Sequence, residues 1–133
     1  MKWRVYKHQM RFIHNVEDNP ALEDKACLKP HEHGFDPNPV CVCEVIVHTD
    51  KWVDFKTIKE LSVHYIEQMA NSKKTDQEIP YYDFGTMDTE TFTTDLRILM
   101  ISAFKKTHPD VKVQIWLDET KKYSIWDDGI GPS

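Results

Sequence analysis

The N-terminal part of the chain alternates in polarity. Every second residue from Tyr6 onward is apolar, aromatic or histidine, and the set is Tyr6, His8, Met10, Phe12 and His14. A period of two is that of a β-strand, in which alternate side chains share one face. The pattern predicts a strand that carries His14 on the same face as Phe12.

Two later segments also predict strands. Val40–His48 is apolar at nearly every position and rich in β-branched residues, which is typical of a strand covered on both faces. A further segment alternates again, with Val111, Val113, Ile115, Leu117 and Glu119 in one phase. This phase places the Glu119 carboxylate on an apolar face, where it needs a partner, unless the strand end turns it outward to water. A short terminal strand can follow over Tyr123–Trp126.

Two helices are predicted between these strands. The first begins after Asp54, whose carboxylate is placed to cap the first turn, and ends near Asn71. The second begins near Asp88 or Thr89 and is stopped at His108–Pro109. Both carry an apolar stripe at three-and-four spacing, namely Ile58, Leu61, Tyr65, Ile66 and Met69 in the first and Phe92, Leu96, Leu99, Met100 and Ala103 in the second. The element order predicts an α+β fold, a four-stranded antiparallel sheet with two helices on one face.

Length and composition narrow the class of protein. With 133 residues and 40% hydrophobic content, the chain can bury a core as one domain over residues 1–133. It contains no apolar run long enough to span a bilayer, and its first residues are too polar for the apolar segment of a signal peptide. Three cysteines are an odd number, which fits reduced thiols. We therefore expect a cytoplasmic protein.

The net charge indicates which classes of ligand the protein can bind. A formal charge of −5 lacks the basic excess that neutralises a phosphate backbone, so nucleic-acid binding is disfavoured. A small anionic ligand would require only a few placed Lys or Arg side chains.

A histidine pair is the strongest local signal for chemistry. His31 and His33 are two residues apart in a proline-containing connection, so in an extended segment both imidazoles can reach one metal ion. His14 would supply a third nitrogen ligand and leave one coordination position of a zinc ion open, as catalytic sites require. The competing interpretation is chance pairing, because the chain contains seven histidines.

The cysteines allow two further hypotheses. Cys41 and Cys43 together with His31 and His33 would form a closed structural zinc site, although their alternation with valines favours buried apolar roles. Cys27 lies four residues before His31, so a metal there would lower the pKa of its thiol and make it a base or nucleophile. The alternative for Cys27 is a buried inert thiol.

Taken together, these residues resemble the 6-pyruvoyltetrahydropterin synthase and 6-carboxytetrahydropterin synthase family. That family carries a first-strand histidine, a Cys-x3-His-x-His loop, an Asp-Phe before the first helix, a Pro-Thr-x-Glu-Asn helix start and a Glu-Thr closing a late strand. The corresponding segments here, in order, are MRFIH, CLKPHEHGF, WVDF, MDTETF and WLDET. The resemblance runs from about Val5 to Trp126.

The resemblance implies a fold, an assembly and a reaction. It implies the tunnelling fold, in which trimers close a barrel and two trimers stack into a homohexamer. It implies zinc held by His14, His31 and His33, with 7,8-dihydroneopterin triphosphate as the substrate of a lyase. The pterin ring would be bound by Glu119 and Thr120, while the Cys27 thiolate moves protons. The product would be of the 6-carboxy type, which feeds 7-deazaguanine and queuosine synthesis, or of the 6-pyruvoyl type.

Three departures from the family pattern are visible. Glu32 replaces the glycine between the two loop histidines, and the loop after His33 is longer. The Leu-Asp-His that supplies the acid/base dyad of the family aligns with residues 69–71, which here are Met, Ala and Asn. His64, Asp76 and Asp83 are the nearby titratable residues that could replace it. The departures leave a second hypothesis open, a pterin- or purine-binding zinc protein without the usual turnover.

Overall fold

The computed structural model describes residues 3–15, 31–36, 38–70, 72–74, 78–119 and 124–129. Seven strands and two helices are defined in this part of the chain. They are β1 Trp3–His14, β2 His31–His33, β3 Cys41–His48, α1 Phe55–Met69, β4 Ser72–Lys74, β5 Tyr81–Asp83, α2 Thr89–Phe104, β6 Lys112–Asp118 and β7 Ser124–Asp127.

The four predicted strands form the main body of the sheet. They lie in the order β1-β3-β6-β7, and every neighbouring pair is antiparallel. Met10 pairs with Cys41, and Val42 pairs with Asp118, which brings the end of β6 alongside the start of β3. The predicted α+β class, with an antiparallel sheet and two helices, is confirmed.

Three short strands extend this sheet beyond the four that were predicted. β2 and β5 both pair with the end of β1, and β4 pairs with β5. β5 runs parallel to β1, with Tyr82 opposite Phe12, so the sheet is not purely antiparallel. Each of these strands has three residues. Such a length contains too few positions to show a period of two, so the sequence pattern does not reveal them.

Both helices begin directly after a capping aspartate, Asp54 as predicted for α1 and Asp88 at the predicted start of α2. The Asp54 carboxylate accepts from the backbone N–H of Lys56, and the Asp88 carboxylate accepts from that of Thr91. α2 ends at Phe104, earlier than the predicted stop at His108, and the next residues form a turn in which the Phe104 carbonyl accepts from the N–H groups of both Thr107 and His108. Neither helix in the described part of the chain has the length and hydropathy of a membrane span.

The core lies between the sheet and the helices. It includes Met10, Phe12, Cys41, Cys43, Val45, Ile58, Ile66, Phe92, Leu96, Met100, Ile115 and Leu117. Cys41, Cys43, Val45 and Val47 of β3 face the helices and are buried, whereas on the other side Val42, Glu44 and His48 are half-buried and Ile46 is buried. Within one chain the two helices therefore cover one face of β3 fully and leave the opposite face partly exposed.

Candidate metal site

Alternate side chains of β1 are buried, and His14 is one of them. His8, Met10, Phe12 and His14 are the buried residues in the second half of this strand, and the residues between them are exposed or half-buried. The imidazole of His14 is 7% exposed. The strand therefore directs His14 to the same face as Phe12, as the period of two predicts.

β2 places the histidine loop against the end of β1. In the antiparallel register His31 lies opposite His14, and His33 lies opposite Phe12. The side chain of His31 lies outside the described part of the structure. Glu32, between them, pairs with Ile13 and is exposed, so its carboxylate lies on the other face of the strand from His33.

Gly34 allows β2 to leave the sheet directly after His33. Its φ of +87° lies in the left-handed region, which glycine adopts without strain. A Cβ there would lie 3.1 Å from the Met10 carbonyl oxygen and 3.2 Å from the Cys41 nitrogen, so the backbone packs closely at this point. The Gly34 carbonyl also accepts a hydrogen bond from Arg11 Nε at 2.9 Å. These contacts fix the position of the strand end that carries His33.

The two histidine side chains meet edge to face. His14 Nε2 lies 3.2 Å from His33 Nε2, and the ring planes are 78° apart. His14 Nδ1 lies 3.0 Å from the carbonyl oxygen of Met87, which can only accept, so Nδ1 carries the proton. Nε2 of His14 is therefore the nitrogen with the lone pair, and it is directed at the other imidazole.

The Met87 carbonyl reaches His14 because the segment between β5 and α2 is tied to β1. The Phe84 N–H donates to the Ile13 carbonyl, and the Asn15 N–H donates to the Gly85 carbonyl at 2.7 Å. A backbone carbonyl on the second nitrogen of a ligating histidine is a common way to fix its tautomer and orientation. A carbonyl carries no sequence signal, so sequence patterns cannot reveal this contact.

A column of stacked rings supports His33 from the core. The His33 ring stacks on Phe12 with centroids 4.6 Å apart, Phe12 stacks on Phe84 at 4.5 Å, and Phe84 stacks on Phe92 of α2 at 4.8 Å. The three aromatic rings are all at most 2% exposed. Since offset stacks of this kind add to the area that each ring buries, His33 rests on a rigid base.

The geometry fits a zinc ion at the two imidazoles. Two nitrogen ligands on a tetrahedral zinc, each at ~2.0–2.1 Å, lie about 3.3 Å apart, close to the observed 3.2 Å. Two imidazole lone pairs at this distance repel unless a proton or a cation lies between them. The described residues contain no group of three His, Cys, Asp or Glu side chains that could hold a metal. A third ligand from His31 is a prediction that the described side chains do not test.

Glu119 follows β6 and lies beside the start of β3. It is half-buried, and its backbone carbonyl lies 3.5 Å from Sγ of Cys41. Burial, with the negative charges of Glu119 and Asp118 added to it, raises the pKa of the Cys41 thiol to about 12. The predicted position of the Glu119 carboxylate on the apolar face stays a prediction. Thr120 and Cys27, the other two predicted site residues, lie outside the described residues.

Cys41 and Cys43 have the buried, apolar character that their spacing favours. Both are free thiols with at most 1% exposure. Burial is the main cause that raises the pKa of each to about 12, so both stay protonated near neutral pH. A protonated thiol is a poor metal ligand.

The acid/base dyad of the family has no counterpart in the described side chains at its aligned positions. Met69 ends α1 and Ala70 follows it as the C-terminal cap, while residue 71 lies outside the described part. His64 is exposed on α1, and the Asp83 carboxylate accepts the Gly85 N–H within a turn. Asp76 also lies outside the described residues.

Comparison with known proteins gives a result for the fold. No family model matches the chain, and no curated protein matches it by sequence. An uncharacterized protein from Wolinella succinogenes aligns with 96% of this chain and 98% of its own, at 12% identity and a TM-score of 0.58. The 6-pyruvoyl tetrahydropterin synthase of Plasmodium falciparum aligns with 94% of this chain and 96% of its own, at 12% identity and a TM-score of 0.53. This chain has a 6-pyruvoyl tetrahydropterin synthase-like fold.

The 6-pyruvoyl tetrahydropterin synthase-like fold confirms the predicted tunnelling fold of the single chain. The alignments cover nearly the whole of each of the two solved structures, so the likeness extends beyond the sheet to the element order. At 12% identity it establishes the architecture, while substrate and metal depend on the side chains of this chain.

Proposed function

We propose that the chain is a zinc-dependent lyase acting on 7,8-dihydroneopterin triphosphate, of the 6-carboxytetrahydropterin or 6-pyruvoyltetrahydropterin synthase type. The observation that carries the proposal is the 3.2 Å approach of His14 Nε2 to His33 Nε2 within a synthase-like fold. This spacing suits two ligands of one zinc ion, and the Met87 carbonyl holds the His14 tautomer that a metal requires.

His14, His31 and His33 would hold the zinc. When bound, the ion would supply Lewis-acid polarisation of the substrate side-chain oxygens. The residues of the chain would do the rest: His14 and His33 are kept in place by a carbonyl and by a ring stack, and Cys27 Sγ would take up the proton released from the substrate side chain.

Glu119 and Thr120 would bind the pterin ring. A carboxylate can accept two parallel N–H bonds from the amidine edge of a pterin, and such a charge-assisted pair offsets the cost of burying the charge. The half-buried position of Glu119 beside Cys41 supports this role, because a partly desolvated carboxylate is stabilised by a charge-assisted hydrogen-bond partner.

The proposal includes a cytoplasmic homohexamer, a dimer of trimers, with no membrane or nucleic-acid partner. Its support is the sheet face that the helices leave uncovered, where Val5 is 37% exposed, Trp126 is 45% exposed and Val42 is half-buried. A second subunit would cover this face. Light scattering at micromolar concentration tests the assembly, and a strictly monomeric mass would rule it out.

A second candidate function is pterin or purine binding without turnover. The observation that favours it is the apolar pair Met69 and Ala70, which stands where the family has a leucine and the dyad aspartate. Neither side chain can transfer a proton, so binding would remain while the reaction slows.

Metal analysis is the first test. The purified protein should contain one zinc per chain, with nitrogen scatterers at ~2.0–2.1 Å in X-ray absorption. His14→Ala and His33→Ala should lose the metal, while His48→Ala, a matched change at a histidine that stacks on Trp3 in another part of the sheet, should retain it. Sulfur scatterers, or equal zinc content in all three variants, would exclude this site.

Substrate analysis separates the two candidate functions. Incubation with 7,8-dihydroneopterin triphosphate should release triphosphate in the parent and not in Cys27→Ala, which should still bind pterin. Glu119→Gln should weaken pterin binding by ~2–5 kcal/mol with zinc content unchanged, because it removes one partner of a buried charged pair. Tight binding without triphosphate release in the parent would select the binding protein, and unchanged affinity in Glu119→Gln would remove the pterin assignment.

A further inference from the structure

A pocket lies beside the middle of β1. It has a volume of about 550 Å³, is open to solvent on one side, and is bordered by β1, Val42 of β3, one side of α1, the segment that enters β5 and Tyr82 of β5. His8 borders it, six residues before His14, so on an extended strand the two histidines are ~20 Å apart. The volume falls within the range of small-molecule sites, and the pocket is separate from the candidate metal site.

The wall of this pocket contains a histidine held between two phenols. His8 Nδ1 lies 2.8 Å from the Tyr6 hydroxyl, and His8 Nε2 lies 2.9 Å from the Tyr82 hydroxyl. Tyr82 is fully buried, His8 is 6% exposed and Tyr6 is half-buried. Since none of the three is charged near neutral pH, the group presents hydroxyl and imidazole protons without a net charge.

The number of protons on His8 and the two phenols limits the possible directions of these hydrogen bonds. A neutral imidazole has one N–H, so one of its nitrogens donates to a phenol and the other accepts from a phenol. If Nε2 carried the proton, the Tyr82 hydroxyl would accept it and would need another acceptor for its own proton. The bonds of the described residues offer none, and an unpaired buried hydroxyl is costly.

The favoured arrangement therefore places the proton on His8 Nδ1. Tyr82 donates to Nε2, and Nδ1–H donates to the Tyr6 oxygen. The Tyr6 O–H is then left to donate away from the histidine, and Tyr6 is the member of the group that lines the pocket from a half-buried position. A phenol that already accepts one hydrogen bond is a stronger donor of its own proton.

Charges of opposite sign lie along the helix side of the pocket. Lys59, Val63 and Glu67 are spaced by four residues, so they form one row on α1 about 12 Å long. After burial, the Lys59 charge is the next cause of the lowered pKa of His8, and the Glu67 charge is the next cause of the raised pKa of Tyr82. Both charges therefore lie close enough to the His8 group to act on it, and their spacing on α1 separates them along the pocket.

We propose that this pocket binds a small zwitterionic molecule, with its carboxylate on the Tyr6 hydroxyl and Lys59 and its cationic nitrogen near Glu67. Tyr6 and Lys59 both donate to an oxygen acceptor, and the Val63 side chain between the two charges provides an apolar surface for the carbon chain. Glu78, also on the lining, disfavours a second anionic group. The inference is independent of the proposed lyase function.

A series of matched probes tests the ligand class on the intact parent protein. The probe is 6-aminohexanoate, compared with hexanoate, hexylamine and adipate by isothermal titration calorimetry. The zwitterion should bind saturably in the millimolar range, hexanoate and hexylamine about tenfold more weakly, and adipate not measurably, because its second carboxylate meets Glu67. Adipate binding as tightly as the zwitterion, or no saturable binding of 6-aminohexanoate, would overturn the proposal.

Matched variants test the site. Tyr6→Phe and Lys59→Met should each weaken 6-aminohexanoate binding about tenfold. Tyr81→Phe and Lys56→Met change the same residue types just outside the lining and should keep the parent affinity. His33→Ala should also keep it, which excludes binding at the metal site. Equal losses in the lining and control variants would contradict the proposal, and if a lining variant does not fold by circular dichroism, the probe series on the parent decides.

Discussion

His8 and His14 offer a comparison within one strand. They lie on the same face of β1, and they are 6% and 7% exposed. His8 has a phenol at each ring nitrogen, whereas His14 has a backbone carbonyl at Nδ1 and a second imidazole at Nε2. Equal burial of the same residue type thus produces a neutral structural histidine in one place and a candidate metal ligand in the other.

The neighbours of β1 cause the difference. From Trp3 to Met10 the strand pairs with β3, whereas the segment around Phe12 pairs with β2 and β5. β2 brings His33 to His14, and the loop after β5 brings the Met87 carbonyl. Around His8 the chain instead places α1 and the approach to β5, which leave room for a pocket. The environment of a histidine is therefore set by elements distant in sequence.

The largest expected effect comes from removing the ring of Phe12, which lies between His8 and His14 along β1. Phe12→Ala should lower the free energy of unfolding by ~3–5 kcal/mol, because Phe12 is fully buried and stacked between His33 and Phe84. Zinc content should fall as well, since His33 loses its base. Urea denaturation and metal analysis measure both.

A control for Phe12→Ala is Ile115→Ala on β6. Ile115 is also fully buried but has no ring contact with the histidines, so the change should cost ~2–5 kcal/mol while zinc content stays at the parent value. Equal zinc loss in the two variants would mean that the ring stack has no specific role at His33.

The pH dependence of stability sharpens the comparison from the His8 side. Burial, followed by the Lys59 charge, lowers the pKa of His8 to about 4, below its ordinary 6.5. The titratable groups that line the pocket with it are Tyr6, Lys7, Lys59, Glu67, Glu78 and Tyr82. The unfolded chain binds a proton between these two values and the folded chain does not, so stability falls as the pH drops from about 6.5 to about 4. The loss is on the order of 3 kcal/mol.

Urea denaturation across this pH range checks the prediction. His8→Gln, which keeps one donor and one acceptor without a titrating group, should remove the His8 part of the slope. His64→Gln, on the exposed side of α1, should behave as the parent. An unchanged slope in His8→Gln would show that His8 is not held neutral.

The smallest effects are expected at the two helix caps. Asp88 lies close to the His14 region, whereas Asp54 lies away from it, so the two caps can be compared. Asp88→Ala and Asp54→Ala should each cost about 1 kcal/mol of stability, because each removes a side-chain cap. Only Asp88 adjoins Met87, whose carbonyl holds His14, so only Asp88→Ala should also weaken zinc binding, by about tenfold. Competition with a chromophoric chelator measures this, and equal zinc affinities would break the proposed link.

The sequence by itself determined the main strands, both helices and the Asp54 cap. A period of two over β1 and a stripe at three-and-four spacing in α2 are local patterns, and they depend only on which face each side chain takes. The same local rule placed His14 on the core face and described Cys41 and Cys43 as buried thiols. It also gave the fold class, because helices with one apolar stripe must cover the apolar face of a sheet.

Tertiary structure alone decided how the buried histidines are used. The Met87 carbonyl at His14, the parallel pairing of β5 with β1 and the contact of Tyr82 with His8 across 74 positions of sequence leave no periodic trace in the chain. The physical reason is that backbone carbonyls are present at every residue, and three-residue strands are too short to show a pattern. What distinguishes His8 from His14 is which of these groups the completed fold brings within hydrogen-bonding distance.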